Sequence, residues 1–289
     1  MFTDLYRLYN HCQTKKKTYS LLKDCLLKEA TFFDNKVVII TGASSGIGKN
    51  LAIRFAQLNA KVALAARDDK KLLDIENLIK SSGHDALTIK ADISVEEDVA
   101  NLINTTFIKW GKIDIFISNA GQYIQGRIED IALVQFHNSF AVNFFGSLYA
   151  VKQLLPIMSK QGSGHIVFIN SLASKKGIVG DAPYVAAKSA LDGFGDVLRQ
   201  ELRDLRIKVS TVYPGRVDTP MIDNIKVPWI SPKISTEKVV SAIINGIEKE
   251  KPIIIVPKIF YLIGALNNLS PKLMDWFYKK FRLEGTRKS

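Results

Sequence analysis

The chain has little cysteine and no clustered histidine. Its two cysteines, Cys12 and Cys25, both lie near the N-terminus. Its four histidines are scattered along the chain without the close spacing of metal ligands. We therefore expect no disulfide framework and no metal site, and a reducing compartment fits this composition.

A signal peptide and a membrane-spanning run are also missing from the sequence. The opening segment Met1–Arg7 contains no apolar stretch of the kind that precedes a cleavage site. The most apolar late run, Pro252 to Leu266, is interrupted by Pro257 and Lys258 and is shorter than the about 20 residues that a helix needs to cross a bilayer. These absences favour a cytoplasmic location.

The chain has fewer acidic than basic residues. It contains 28 Asp and Glu against 40 Lys and Arg, which gives a net charge of +12. Such an excess can serve a nucleic acid, an anionic membrane surface, or an anionic cofactor together with a basic tail. No RNA- or DNA-reading motif accompanies it, so we expect no nucleic-acid partner.

Hydrophobic patterning divides the chain into three parts. Residues 1–35 are predicted to be a helical extension packed on the edge of one domain, which covers residues 36–257. Residues 258–289 form a basic amphipathic tail with a helical pattern over Leu273–Arg282. This tail either packs on the domain, which we favour, or lines a subunit contact, or touches a membrane surface.

Short apolar runs alternate with helical patterns from Lys36 onward. The runs read as buried parallel strands at Val37–Ile40, Val62–Ala65, Leu87–Ile89, Ile113–Ile117, Ile166–Ile169, Val209–Val212 and Ile253–Val256. Apolar residues at helical spacing lie between them. This alternation predicts an α/β fold of one domain, in which a doubly wound, mostly parallel seven-stranded sheet of Rossmann type carries helices on both faces.

A glycine-rich turn joins the first strand to the first helix. Gly42, Gly46 and Gly48 in the segment Thr41–Gly48 permit a tight turn, close approach of a ligand and close packing of helix on strand. The helix that follows offers free N–H groups and a positive dipole end to a pyrophosphate. The segment therefore predicts a dinucleotide site.

The end of the second strand bears on the choice of dinucleotide. An acidic residue there would receive the ribose hydroxyls of NAD, but Ala66 occupies the position and Arg67 follows. A guanidinium can hold a 2′-phosphate through charge-assisted hydrogen bonds, which favours NADP over NAD. The alternative is a solvated surface arginine beside Asp68.

Candidate catalytic residues follow the fifth predicted strand. Ser171 stands at the strand end, and Tyr184 and Lys188 lie four residues apart on one face of a helix. In such a site Ser171 binds a carbonyl oxygen, Tyr184 exchanges a proton with it, and Lys188 stabilises the tyrosinate and contacts the nicotinamide ribose. The alternatives are a capping serine and a core tyrosine. No Gly-x-Ser-x-Gly elbow supports a serine hydrolase.

Together these motifs resemble the short-chain dehydrogenases/reductases over about Lys36 to Pro257. The resemblance implies a catalytic set of Asn143, Ser171, Tyr184 and Lys188, with Ser171 and Tyr184 also binding substrate. Ser118 and Asn170 depart from the usual residues of the family, and Ser45 is not the basic residue of many NADP-preferring relatives, so Arg67 alone carries that preference. The implied cofactor-binding residues are Gly42, Ser44, Ser45, Gly46, Ile47, Gly48, Arg67, Asp92, Ile93, Asn119, Ala120, Gly121, Tyr184, Lys188, Pro214, Gly215, Val217 and Thr219.

The expected activity is an NADP(H)-dependent interconversion of a carbonyl and a secondary alcohol. An apolar segment, Pro220–Ile230, would cover the substrate and suits an apolar small molecule, although it could equally pack its own side chains inward. We also expect a homo-oligomer. The alternatives are a catalytically silent NAD(P)-binding regulator, which would not need the intact catalytic set, and a protein that binds a membrane surface or nucleic acid through its positive charge.

Overall fold

The structure is a computed structural model that describes residues 31–228, 231–260, 266–267, 269–281, 283 and 286–287. The greater part of the predicted N-terminal extension, with both cysteines, lies outside the described residues. So do Trp229 and Ile230 of the apolar segment and Arg282 of the tail.

A seven-stranded parallel sheet forms the centre of the domain, as the sequence predicted. Its order is β3-β2-β1-β4-β5-β6-β8, and each neighbouring pair runs parallel. A separate antiparallel pair joins β7 to β9, close to the C-terminus. The strands are β1 (Val37–Thr41), β2 (Lys61–Ala66), β3 (Ala86–Lys90), β4 (Ile115–Ser118), β5 (Gly164–Ile169), β6 (Ile207–Pro214), β7 (Ile225–Lys226), β8 (Ile253–Val256) and β9 (Thr286–Arg287).

Helices cover both faces of the sheet and bury two apolar clusters against it. One cluster takes side chains from α1, α2 and α7, and the other from α3, α5 and α6. Helices on both faces of a parallel sheet confirm the doubly wound fold. They also explain why the strand sequences are continuously apolar, because both faces of each strand are buried. The helices are α1 (Gly46–Gln57), α2 (Asp69–Ser81), α3 (Glu96–Trp110), α4 (Leu133–Phe140), α5 (Gly146–Gln161), α6 (Ala182–Glu201), α7 (Thr236–Glu248) and α8 (Pro271–Lys280).

Local sequence explains where helices begin and end. Asp68 caps α2 by accepting a hydrogen bond from the backbone N–H of Lys71 at 3.2 Å. Gly111 ends α3 in the left-handed conformation at φ 72°. Residues 141–145 between α4 and α5 form a π-helical turn, a geometry that often marks functional sites.

The core begins before the first strand. Residues 31–33 are helical, and Phe33 is fully buried with its ring centroid 5.2 Å from that of Phe55 in α1. The last residues of the predicted extension therefore contribute to the packing of the domain.

The C-terminal segment returns to the carboxyl edge of the sheet. Helix α8 forms where the tail was predicted to be helical, and a side-chain nitrogen of Arg216 after β6 donates to the backbone oxygen of Leu283. Among the described residues, no helix is long and apolar enough to cross a membrane. The described part of the tail, which includes α8 and Leu283, lies over the edge at which ligands bind in this kind of fold.

Candidate active site

A continuous cavity of about 1360 Å³ opens at the carboxyl edge of the sheet. The ends of several strands, the loop before α1, the start of α6 and the tail form its walls. All but two of the predicted site residues line it. The lining ones are Gly42, Ser44, Ser45, Gly46, Ile47, Arg67, Asp92, Ile93, Asn119, Ala120, Gly121, Ser171, Tyr184, Lys188, Pro214, Gly215, Val217 and Thr219. The two that do not are Gly48 and Asn143.

The backbone of the glycine loop adopts conformations in which residues other than glycine would be strained. Gly42 and Gly46 have φ values of 65° and 54°, in the left-handed region. A Cβ on Gly48 would lie 2.3 Å from the backbone oxygen of Gly42. Gly48 therefore serves close packing of α1 on the loop and does not face the cavity.

The first turn of α1 is suited to an anion. Its N-cap residue, Ser45, makes no side-chain capping hydrogen bond, and the first turn contains no acidic residue. The first N–H groups of a helix lack partners within the helix and carry the positive end of its dipole. This turn therefore fits the pyrophosphate of a dinucleotide.

Asn119 and Thr41 hold the glycine loop against β4. The Asn119 amide Nδ2 donates to the backbone oxygens of Thr41 at 2.9 Å and Gly42 at 3.2 Å. The Thr41 hydroxyl accepts from the backbone N–H groups of Asn119 and Ala120 at 3.0 and 3.1 Å. The Asn119 amide thus positions the loop, while the residue also forms part of the cavity wall.

Arg67 and Asp92 lie at the ends of β2 and β3. Nη1 of Arg67 is 3.9 Å from Oδ2 of Asp92, and the Arg67 side chain is largely exposed. Burial alone would raise the pKa of Asp92, but hydrogen bonds from Ser94 and the charge of Arg67 hold it below its ordinary value. Arg67 faces this carboxylate and not Asp68, which is engaged in capping α2.

Ser171, Tyr184 and Lys188 lie together in the wall of the cavity. Burial raises the pKa of Tyr184 to about 12, and a hydrogen bond with Ser171 opposes that rise. The Ser171 hydroxyl also accepts from the backbone N–H of Ala173 at 3.1 Å, so this side chain caps a turn as well as contacting the tyrosine.

Lys188 is anchored beneath the tyrosine. Its Nζ donates to the backbone oxygen of Ile169 at 2.8 Å and lies 5.9 Å from the centroid of the Tyr184 ring. Burial lowers the pKa of Lys188 to about 8. Because Lys188 is buried and Tyr184 is half-buried, desolvation outweighs the lowering of the tyrosine pKa that we expected from the ammonium group.

Asn143 lies in the π-helical turn and holds the loop after β4. Its Nδ2 donates to the backbone oxygens of Gln122 at 2.9 Å and Ser139 at 3.0 Å, and its Oδ1 accepts from the Gln122 N–H at 3.2 Å. The side chain is buried outside the cavity wall. Its hydrogen bonds support a positioning role.

A polar cluster beside Tyr184 was missed by the sequence reasoning. The Tyr123 hydroxyl donates to Oδ1 of Asp181 at 2.6 Å, and the Tyr123 ring meets the Tyr184 ring edge to face at a centroid distance of 5.3 Å. Burial raises the pKa of Asp181 to about 6, against the opposing effects of Tyr123 and Arg216. Asp181 precedes Tyr184 by three residues, and this proximity in the sequence was the available signal.

The tail was also missed as part of the site. Met274, Phe277, Tyr278 and Leu283 line the cavity, and Met274 and Leu283 are buried. The helical pattern of the tail predicted its secondary structure, but nothing in the pattern indicated which side would face the cavity.

The residues present fit a bound dinucleotide. The glycines keep the loop free of Cβ atoms, and the first turn of α1 offers unpaired donors. Asn170, at the end of β5, is buried in the cavity wall with no hydrogen-bond partner for its Nδ2 among the described residues. A buried donor without a partner is costly and indicates that a ligand or water completes it. The described residues contain no group of three potential metal ligands.

The fold and the cavity define an oxidoreductase of the dinucleotide-binding α/β class. A family model described as short chain dehydrogenase matches residues 36–228. The chain belongs to this family, the short-chain dehydrogenases/reductases, as the motifs indicated.

Named relatives extend the comparison over most of the chain. A Drosophila melanogaster protein, "Dehydrogenase/reductase SDR family protein 7-like", is 33% identical over 270 residues, which cover 88% of this chain and 83% of that protein. "Ketoacyl reductase HetN" from a Nostoc species is 32% identical over 262 residues, which cover 87% and 91%.

A solved structure shows the same fold. A 7α-hydroxysteroid dehydrogenase complexed with NADH and 7-oxo glycochenodeoxycholic acid superposes with a TM-score of 0.73 at 25% identity. The match covers 78% of this chain and 93% of that one.

Proposed function

We propose that the protein is an NADP(H)-dependent oxidoreductase that interconverts a carbonyl and a secondary alcohol on an apolar small molecule. The observation that carries the proposal is the meeting of Ser171, Tyr184 and Lys188 in the same cavity as the glycine loop. A bound nicotinamide would supply or accept the hydride. The protein contributes orientation and control of one proton.

Tyr184 is the proton donor in this proposal. With a pKa of about 12 its phenol is protonated at neutral pH, which is the state needed to donate to a carbonyl oxygen during reduction. The Ser171 hydroxyl holds the same oxygen in place. Lys188, fixed by the Ile169 oxygen, places a positive charge one helical turn from the phenol and stabilises the tyrosinate that proton donation leaves behind.

The preference for NADP rests on Arg67. Its side chain is largely exposed at the end of β2, and its contact with Asp92 is long, at 3.9 Å. Exposed pairs of this kind contribute about 0–1 kcal/mol, so a 2′-phosphate would compete for the guanidinium at little cost. NAD is the competing cofactor, because the related hydroxysteroid dehydrogenase carries NADH.

The substrate side of the cavity is largely apolar. Met221 and Ile222 after β6 and Leu273 and Phe277 of α8 face it from two sides. This supports an apolar carbonyl or alcohol, such as an acyl chain or a fused-ring compound. The relative named as a ketoacyl reductase and the neighbour that binds an oxo bile acid are consistent with either class.

Cofactor titration and a carbonyl panel test the proposal together. NADPH and NADH are titrated into wild-type protein, Arg67→Gln and Tyr184→Phe, with binding followed by nicotinamide fluorescence. We expect tighter binding of NADPH, a preference that Arg67→Gln removes, and a loss of turnover of about 10²–10⁴-fold in Tyr184→Phe without loss of binding. Equal wild-type affinities would contradict the role of Arg67. Cofactor binding with turnover no different from Tyr184→Phe would favour a silent regulator.

A further inference from the structure

Large apolar side chains are exposed around the mouth of the cavity. We call the mouth patch the set Met221, Ile259, Leu266, Leu269, Leu273 and Trp276, all of which are exposed. Met221, Ile259, Leu266 and Leu273 also line the cavity, so the apolar lining continues onto the outer surface. Ile259 is 66% exposed and Leu273 56%. An apolar surface of this kind, continuous with a ligand cavity, is typical of an interaction site.

Helix α8 carries large apolar side chains on two of its sides. Its Met274, Phe277 and Tyr278 face the cavity. Leu273 and Trp276, three residues apart, share an outward face, and Leu269 lies just before the helix begins at Pro271. Trp276 is 55% exposed and Leu269 82%, and neither lines the cavity. Both sides of the helix are therefore apolar, and the outward side has no protein cover among the described residues.

Lysines surround the patch. Lys258 precedes Ile259, while Lys272, Lys279 and Lys280 belong to α8, and all four are exposed. Nζ of Lys280 lies 4.5 Å from the centroid of the Trp276 ring. The acidic residue of α8, Asp275, is paired with Lys176. A tryptophan and leucines beside cations that form no ion pair within the described ranges are the composition of a helix that lies in the interface of a membrane.

We propose that the mouth patch docks on an anionic lipid bilayer. The apolar side chains enter the headgroup region, and the lysines contact anionic lipids. A second copy of the chain fits this surface less well, because the lysines of two facing patches would repel each other. If the proposed function holds, an apolar substrate passes between the bilayer and the cavity without crossing water; docking itself does not depend on that function.

Vesicle sedimentation with the full chain tests the docking. The probes are phosphatidylcholine vesicles with and without about one third phosphatidylglycerol, at about 0.15 M salt, where exposed charges are screened beyond about 8 Å. We expect the wild-type protein to pellet with anionic vesicles and to remain largely in the supernatant with neutral ones. A double variant, Leu269→Asp with Trp276→Asp, should lower the partition coefficient at least tenfold, and Lys279→Glu with Lys280→Glu should remove the dependence on anionic lipid.

Ile108→Asp is the matched control, because Ile108 in α3 is 82% exposed and lies outside the mouth patch. It should pellet like wild type. Retained cofactor binding shows that each variant is folded, since neither Leu269 nor Trp276 lines the cavity. Equal pelleting of the control and the patch variants overturns the proposal. The proposal is also overturned if the patch variant binds lipid like wild type but no longer self-associates in analytical ultracentrifugation. That result would identify the mouth patch as a subunit contact. No turnover is needed, so this result is independent of the proposed activity.

Discussion

Replacing Asp181 by asparagine should stabilise the folded protein at neutral and alkaline pH. Asp181 is buried beside Tyr184, and burial raises its pKa from the ordinary 3.8 to about 6. Asparagine keeps an oxygen that can accept the Tyr123 hydrogen bond, but it carries no charge. The substitution therefore removes the cost of burying the carboxylate and retains the contact.

The magnitude and sign follow from proton linkage. Above pH 6 the carboxylate is charged in the folded and the unfolded chain, and the folded state bears the full cost, about 3 kcal/mol. Below about pH 4 the group is protonated in both states and the cost disappears. Asp181→Asn should therefore raise the free energy of unfolding by up to about 3 kcal/mol at pH 8 and by little at pH 4.

Urea denaturation of wild type and variant at pH 8, 6 and 4.5 measures this difference. Asp204→Asn is the control, because the Asp204 side chain is 88% exposed. The difference in the free energy of unfolding between Asp181→Asn and wild type should become smaller as the pH falls from 6 to 4.5. The free energy of unfolding of the control should equal that of wild type at each pH. Parallel plots of unfolding free energy against pH for Asp181→Asn and wild type would refute the reasoning that a costly carboxylate is buried beside Tyr184.

Three further outcomes follow from the geometry. Gly48→Ala places a Cβ 2.3 Å from the Gly42 oxygen, so NADPH affinity should fall about 10- to 100-fold with unchanged circular dichroism; unaltered affinity would contradict the role given to that close approach. Phe33→Ala should lower the free energy of unfolding in urea by about 3–5 kcal/mol, since the side chain is fully buried, whereas a loss under about 1 kcal/mol would place residue 33 outside the core. Burial lowers the pKa of His165 to about 4, so the unfolded chain binds the imidazole proton more tightly than the folded one. The free energy of unfolding of wild type, measured in urea, should therefore fall by about 3 kcal/mol between pH 7 and 4 through this group, and His165→Gln should not show that fall.

The fold could be predicted from the sequence because hydrophobic periodicity reports burial. It does so without reporting strand pairing. Ile113 is fully buried and was assigned to a strand, but β4 begins at Ile115. The backbone of Ile113 bonds instead to the side chain of Gln161, at 2.9 Å for both N–H and oxygen. An apolar run thus identifies buried residues more sharply than it identifies the ends of a strand.

The site was predictable where a motif carries it within a short segment. The glycine loop and the Ser171, Tyr184 and Lys188 set are local patterns, and both line the same cavity. The Tyr123–Asp181 hydrogen bond joins residues 58 positions apart, and no spacing rule links them. The inward side of α8 was hidden for a related reason: both its faces are apolar, so periodicity could not assign one to the cavity.

The contribution of α8 to the cavity has a consequence for biosynthesis. The glycine loop, the candidate catalytic residues and all seven strands of the sheet are encoded before Pro257, whereas part of the apolar cavity wall comes from α8 and Leu283. Chains fold from the N-terminus as they are synthesised, at about 5–20 residues per second. The nascent protein can therefore assemble the part of the cavity around the glycine loop while the side closed by α8 is still open. If the proposed function holds, a ribosome-bound chain that lacks residues 258–289, with a linker that brings β8 out of the exit tunnel, should bind NADPH but discriminate poorly among carbonyl compounds.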